Sequence, residues 1–293
     1  MLAALPFPTI DPVIFAVEIG DFTLALRWYA MAYILGIVIG WRMGVMIMNR
    51  PHLWRDGPPM TAPQAEDMLT WIILGIVVGG RLGYVLFYQP AYYLANPLEI
   101  PAIWQGGMSF HGGFLGVMAA VWWNARRYEA ELGSVADALA LCTPPGLLLG
   151  RIANFINAEL WGRPSDVAWA VEFPGAAAQD CPGVEGICAR HPSQLYEAGL
   201  EGLVLGAMLI WLAFFRGALK TPWRLTGLFF LGYGLARTVV EAFRQADPQY
   251  ITEGNPLGHV IRLGEAGLTM GQVLSLPMVA IGIALLIWSR RRA

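Results

Sequence analysis

The chain has 293 residues and a formal net charge of −2; 56% of its residues are apolar and only 14% charged. A water-soluble domain would carry roughly a quarter charged residues, so the composition excludes an ordinary soluble fold. A balance this close to neutral, with no basic block, also gives no footing for nucleic-acid binding.

The N-terminal stretch MLAALPFPTIDPVIF lacks the cationic n-region of a signal peptide, and its prolines and Asp11 predict a short interfacial arm. Apolar windows follow at about 24–48, 68–89, 108–124, 134–150, 195–215, 225–243 and 270–289. Each approaches the roughly 20 residues that cross a hydrocarbon core. The mean hydropathy is +0.51, and 34 glycines and 12 tryptophans suit close helix packing and interfacial anchoring. The predicted fold is an all-α polytopic membrane protein with about seven transmembrane helices.

Cations set the orientation. Arg50 and Arg55 follow the first window, and Arg126 and Arg127 the third. Arg216, Lys220 and Arg224 follow the fifth, and Arg290, Arg291 and Arg292 the seventh. Alternating spans put these four clusters on one side, which the positive-inside rule makes cytoplasmic. The N-terminus is then outside and the C-terminus inside. The outward segments hold few cations, namely Arg163, Arg190, Arg244 and Arg262. Residues 1–293 read as a single membrane domain whose outward cap is built from 158–194 and 245–268. Within the cap, the alternation in VAWAVEF predicts a short strand or hairpin. Cys142 reads as core packing. Cys181 and Cys188 share one polar loop and read either as a disulfide, if the loop faces an oxidising space, or as two free thiols.

An ionisable group inside a span costs at least about 2.5–3.5 kcal/mol and needs a partner or a purpose. Arg27 and Tyr29 open the first window, Arg81 sits in the second within GGRLGY, and His111 opens the third within GMSFHGG. Tyr233, Arg237 and Glu241 lie at spacings of four on one helical stripe, with Arg244 beyond. They read equally as a binding stripe or as an internal ion pair. The densest polar segment is GRIANFINAELWGRP, with Arg151, Asn154, Asn157, Glu159, Gly162 and Arg163 beside the membrane. His111 reads as a helix cap or as a functional imidazole with room made by Gly112 and Gly113. Arginines gathered at one interface point to an anion held bidentately, and a phospholipid headgroup is the anion found there.

The segment GRIANFINAELWGRP resembles the signature of the prolipoprotein diacylglyceryl transferase family. GGMSFHGGFLG at 106–116, HPSQLYEA at 191–198 and YGLARTVVEAFRQAD at 233–247 support the likeness, in order along nearly the whole chain. Where members commonly carry Gly within the signature, this chain has Ala153 and Ala158. The resemblance implies seven transmembrane helices with a periplasmic cap in a bacterial inner membrane. It implies transfer of the diacylglyceryl group of phosphatidylglycerol onto the lipobox cysteine of a prolipoprotein signal peptide, with release of glycerol phosphate. No metal or organic cofactor is expected.

By motif, Tyr29, His111, Arg151, Asn154, Gly162, Tyr233 and Arg237 correspond to positions important in the family, and Glu159, Arg163, Glu241 and Arg244 stand behind them. On this reading Arg151 and Arg237 hold the phosphate, Asn154 and Tyr233 orient it, and His111 is the candidate base. The rival class is a transporter of an anionic or lipid substrate, using intramembrane Arg and Glu as a path. No duplicated halves are visible in the sequence to support it.

Overall fold

Helices occupy every predicted apolar window in the computed structural model, which describes residues 4–20, 22–181, 184, 186–264 and 266–291. Arg292, counted above in the last basic cluster, lies outside the described residues. The helices are α1 (Trp28–Met48), α2 (Ala62–Phe87), α3 (Phe110–Arg127), α4 (Leu132–Cys142), α5 (Pro144–Ile156), α6 (Ser193–Phe215), α7 (Arg224–Val240) and α8 (Met270–Arg290). α4 and α5 form one run through Leu132–Ile156 with a bend at Thr143, where Pro144 and Pro145 supply no N–H to the preceding turn.

Five runs are long and apolar enough to cross a membrane: Trp28–Met48, Ala62–Phe87, Leu132–Ile156, Ser193–Phe215 and Met270–Arg290. α3 and α7, of 18 and 17 residues, do not meet that measure.

The chain is mostly helical, with short strands at its edges. Residues 24–27 of the first window are not helical; they belong to a hairpin of β2 (Val13–Ile19) and β3 (Phe22–Arg27). β-branched and aromatic residues dominate β2, and its ladder with β3 satisfies backbone groups that an isolated arm would leave open. The VAWAVEF expectation holds for two residues only. β4 (Val171–Glu172) forms, but it pairs parallel with β1 (Leu5–Pro6) and bridges Arg190, so no local hairpin closes. β5 (His259–Leu263) and β6 (Ala266–Thr269) make a second hairpin that leads into α8.

Glycines set the closest helix contact. α2 lies along α3, and a methyl built on Gly83 would stand 2.7 Å from the Gly112 Cα. α7 begins where another helix caps it. Its own N-cap, Trp223, provides no side-chain bond. Asp137 of α4 instead accepts from Arg224 N at 3.1 Å, Thr226 N at 2.7 Å and the Thr226 hydroxyl at 2.6 Å. Arg237 then falls about 20 Å along the helix from this anchored end.

Three connections meet at that end. Trp54 and Asp56 after α1, Glu131 and Ser134 around the start of α4, and Leu219 and Lys220 after α6 line one cavity of about 290 Å³.

Candidate active site

The signature segment folds into a helix terminus that turns back on itself. α5 ends at Ile156, and Glu159 N donates to Asn154 O at 3.1 Å while Ala158 N donates to Phe155 O at 2.9 Å. This is a Schellman closure, whose reversing residue prefers glycine because it must be left-handed. Ala158 takes that place at φ 51. The reversal returns Glu159 to Asn154, and Asn154 Nδ2 donates to Glu159 Oε1 at 2.7 Å.

Arg151 stands about one turn before this terminus and points to α6. Its Nε lies 3.0 Å from Glu197 Oε2, and its Nη2 3.8 Å from Glu201 Oε2. The Tyr233 side chain lies within electrostatic reach of that guanidinium. Glu197 is fully buried and takes further cations from the other side. Arg237 Nη1 and Arg244 Nη1 both donate to its Oε1, the latter at 2.9 Å.

Glu241 closes the circuit. Arg237 Nη2 lies 3.0 Å from its Oε2 and Arg244 Nε 3.7 Å from the same oxygen. The carboxylate is seated at the N-terminus of α8, where the Thr269 hydroxyl donates to Oε1 at 3.2 Å, a position the helix dipole favours. Three arginines from α5, α7 and the turn after α7 therefore share two carboxylates, one on α6 and one closing α7. The ion-pair reading of the 233–241 segment holds, with Arg237 and Glu241 joined four residues apart.

Gly162 is a crossing point. Its N donates to His191 O at 2.9 Å, and a Cβ there would meet His191 Cβ and O at 2.7 Å. The next residue, Arg163, donates from N to Phe243 O at 2.8 Å and from Nε to Arg244 O at 2.7 Å. Burial pulls the Arg163 guanidinium below its usual value, with Glu241 acting against that shift. The absence of a side chain at 162 lets the signature segment reach the Arg244 turn.

The remaining sequence-predicted residues are placed less tightly. Tyr29, in the first turn of α1, accepts from the Tyr33 hydroxyl at 3.2 Å, and Tyr33 feels both Arg151 and Glu159 electrostatically. His111 lies in the first turn of α3, after Ser109, which caps Gly112 N at 3.2 Å. Its ring is exposed, neighbours Phe110, and makes no hydrogen bond or ion pair among the described residues. The structure brings Arg151, Asn154, Glu159, Gly162, Arg163, Tyr233, Arg237, Glu241 and Arg244 together, and leaves His111 on a separate helix pair. Arg81 is buried and holds the 99–107 segment, each of its three nitrogens donating to a carbonyl of Glu99, Ile100, Gly106 or Gly107.

Sequence reasoning missed Glu197 and Glu201, although HPSQLYEAGLE carries two carboxylates four apart at the head of an apolar run. The same cost of buried charge that flagged Arg237 applies to them. It also missed the polar chain beside the crossing. Trp169 Nε1 donates to the Tyr196 hydroxyl at 2.7 Å, and that hydroxyl lies 3.0 Å from His191 Nδ1. Burial holds the His191 imidazole below its ordinary pKa.

Cys181 and Cys188 are joined as a disulfide. Arg190 braces the same loop through Ala178 O at 2.6 Å and Asp180 O at 2.8 Å, and reaches Gln245 Oε1 at 3.1 Å.

Apolar membrane-length helices and a buried arginine–carboxylate circuit define a helical membrane protein with an ion-paired polar centre. The chain belongs to the prolipoprotein diacylglyceryl transferase family, which it matches over residues 12–288. It is 63% identical to the phosphatidylglycerol–prolipoprotein diacylglyceryl transferase of Roseobacter denitrificans, with 100% of both chains covered. It is 60% identical to that of Ruegeria pomeroyi over 97% of this chain and 96% of the relative. Identity to the Rhizobium meliloti enzyme of the same name is 48%, over 100% of this chain and 95% of the relative.

Proposed function

We propose that this chain transfers the diacylglyceryl group of phosphatidylglycerol to the thiol of a prolipoprotein lipobox cysteine, releasing glycerol phosphate, as the first step of lipoprotein maturation. The observation that carries the site assignment is the convergence of Arg151, Arg237 and Arg244 on Glu197.

The reaction forms one bond and breaks one. The cysteine sulfur attacks the glycerol carbon, and the bond from that carbon to the phosphate oxygen breaks. The thiol proton leaves with the departing phosphate or with a base. Negative charge moves from sulfur to phosphate oxygen, so the group to stabilise is the leaving phosphate. Arg151 and Arg237 are the phosphate ligands in this reading, since each keeps part of its side chain accessible. Asn154 and Tyr233 orient the headgroup, while Glu159, Arg163, Glu241 and Arg244 hold those residues in register. Tyr29 stands on the α1 side of the entrance. His111 acts on the thiol, either as base or as hydrogen-bond organiser, with the incoming peptide bridging α3 and the arginines.

The membrane arrangement follows the same lines. α3 and α7 cross together with the five longer runs, with the N-terminus and the site facing the periplasm of a bacterial inner membrane. Two observations support this. The connections after α1, α3 and α6, which alternation puts on one side, meet in one cavity. The disulfide within 158–194 suits an oxidising compartment, and on this reading 158–194 and 245–268 form the outward cap of one membrane domain.

The test is transfer of labelled diacylglycerol from phosphatidylglycerol to a lipobox peptide by purified protein, beside Arg151→Ala. Transfer that requires both the peptide cysteine and Arg151 is expected. Folded wild-type protein without transfer would overturn the assignment.

A further inference from the structure

Glu201 is the ionisable group of the site that nothing above uses. It is fully buried, and both of its carboxyl oxygens lack a hydrogen-bond partner among the described residues. Its nearest cation is Arg151 Nη2 at 3.8 Å, outside hydrogen-bond range. It sits in a π-helical turn, Ala198–Val204, that interrupts α6 immediately after Glu197. Such turns insert an extra residue and re-aim side chains, frequently at functional sites.

The charges facing Glu201 come from each element around it. Arg151 reaches it from α5, Arg237 and Arg244 from α7 and the turn beyond, and Glu197 from its own helix. Tyr233, also on α7, lies within its electrostatic reach. Glu197 and Glu241 are engaged by these arginines at 3.0 Å and 2.9 Å, as ionised carboxylates are. Arg163 and Glu159, one of each sign, add nothing net to the balance. Without Glu201, the cations outnumber the anions by one. An ionised Glu201 would cancel that excess, and would do so as a desolvated anion with no hydrogen bond, the costliest form of a buried carboxyl group.

We propose that Glu201 is held as a neutral carboxylic acid when lipid binds, and that it thereby sets the site at a single net positive charge. It is a specificity-determining residue that matches the site to a headgroup bearing one negative charge, a phosphodiester with an uncharged alcohol. Zwitterionic headgroups are poorly matched because their own cation meets the same excess. This deepens the assignment above and rests on it. Ionising Glu201 removes the excess charge and weakens lipid binding, while the phosphodiester itself does not titrate in the same range.

The experiment measures binding of short-chain phosphatidylglycerol to the purified full-length protein in uncharged detergent, from about pH 5.5 to about pH 9. Wild-type affinity should fall about tenfold or more toward the alkaline end, the order expected for one added charge several ångströms away at an effective dielectric of about 20. Glu201→Gln, which fixes the neutral form, should bind as wild type does at low pH and keep that affinity throughout.

A measurement without a variant runs beside it. Calorimetry in two buffers of different ionisation enthalpy should show wild-type protein taking up about one proton per lipid bound at alkaline pH. A folded Glu201→Gln protein that retains the wild-type pH slope, or that binds at no pH, overturns the proposal, as does binding without proton uptake. Arg151→Ala separates the two readings. If it binds phosphatidylglycerol like wild type, the phosphate site itself is misplaced; if it loses binding while Glu201→Gln stays pH-dependent, only the role of Glu201 fails.

Discussion

Glu197 on α6 meets Arg151 on α5 at 3.0 Å, and the other oxygen of the same buried carboxylate takes Arg237 and Arg244 from the end of α7. One side chain therefore sets the spacing between cations contributed by three separate segments. Removing one partner of a buried ion pair costs about 3–5 kcal/mol because the others stay buried and unpaired. Glu197→Ala should lose that order of stability and lower turnover by more than about a hundredfold, the scale of losing aligned charge stabilisation. Thermal unfolding in detergent and the transfer assay check the two effects separately. Near-wild-type turnover would show that the arginines need no common anchor.

Ala158 occupies the left-handed position of the Schellman turn at φ 51. A non-glycine residue held there costs on the order of 1 kcal/mol. Ala158→Gly should raise stability by about that amount with activity retained, because the turn and the Asn154–Glu159 bond are unchanged. A drop in melting temperature would mean that the methyl contributes more through packing against the Phe173 cluster than the backbone strain costs.

Gly162 has no room for a side chain between His191 and Phe243. Gly162→Ala should part the signature segment from the Arg244 turn and lower transfer at least about tenfold, with a stability loss of about 1–3 kcal/mol from overpacking. Kinetics separate a displaced site from a missing contact. Displacement should lower kcat as well as raise KM, since Arg163 and Arg244 move together.

His191 gives a pH dependence whose sign follows from its burial, which lowers the folded-state pKa below the ordinary value. The unfolded chain then binds more protons in the window below about pH 6.5. The stabilisation from His191 is present above that value and is lost as pH falls through the folded pKa. Melting temperature should drop on acidification, and His191→Gln should shrink the drop. An unchanged acid slope in the variant would assign the effect to other groups.

The Cys181–Cys188 bridge closes a loop of sequence separation 7. Loop-closure entropy for so short a loop is worth about 2–3 kcal/mol. Reduction, or a Cys181→Ser and Cys188→Ser pair, should lower the melting temperature and leave the helical signal intact. A thiol count on protein purified without reductant should find one free cysteine, Cys142. Three free thiols would remove the support that the bridge lends to an oxidising compartment.

Composition and hydropathy determined the membrane class and the place of every long helix, because a span must be apolar for about 20 residues and leaves that record locally. The same local record singled out Arg151, Arg237, Glu241 and Arg244, since a charge in an apolar run is visible without knowing its partner. It did not reveal the partners. Glu197 lies 46 residues from Arg151 and 40 from Arg237 in the chain, and no periodicity encodes a contact between segments so far apart. Gly162 stood out because it lies in the signature; only the crossing of three segments shows why it lacks a side chain. The first window was predicted to be helical from residue 24, but strand pairing took residues 24–27 because their hydrogen-bond partners, β2, lie outside the window. Apolar content and isolated charges are properties of a stretch of chain and can be read from it. Ion pairs, crossings and strand partners are properties of two or more stretches, and only the tertiary structure decided which of them meet.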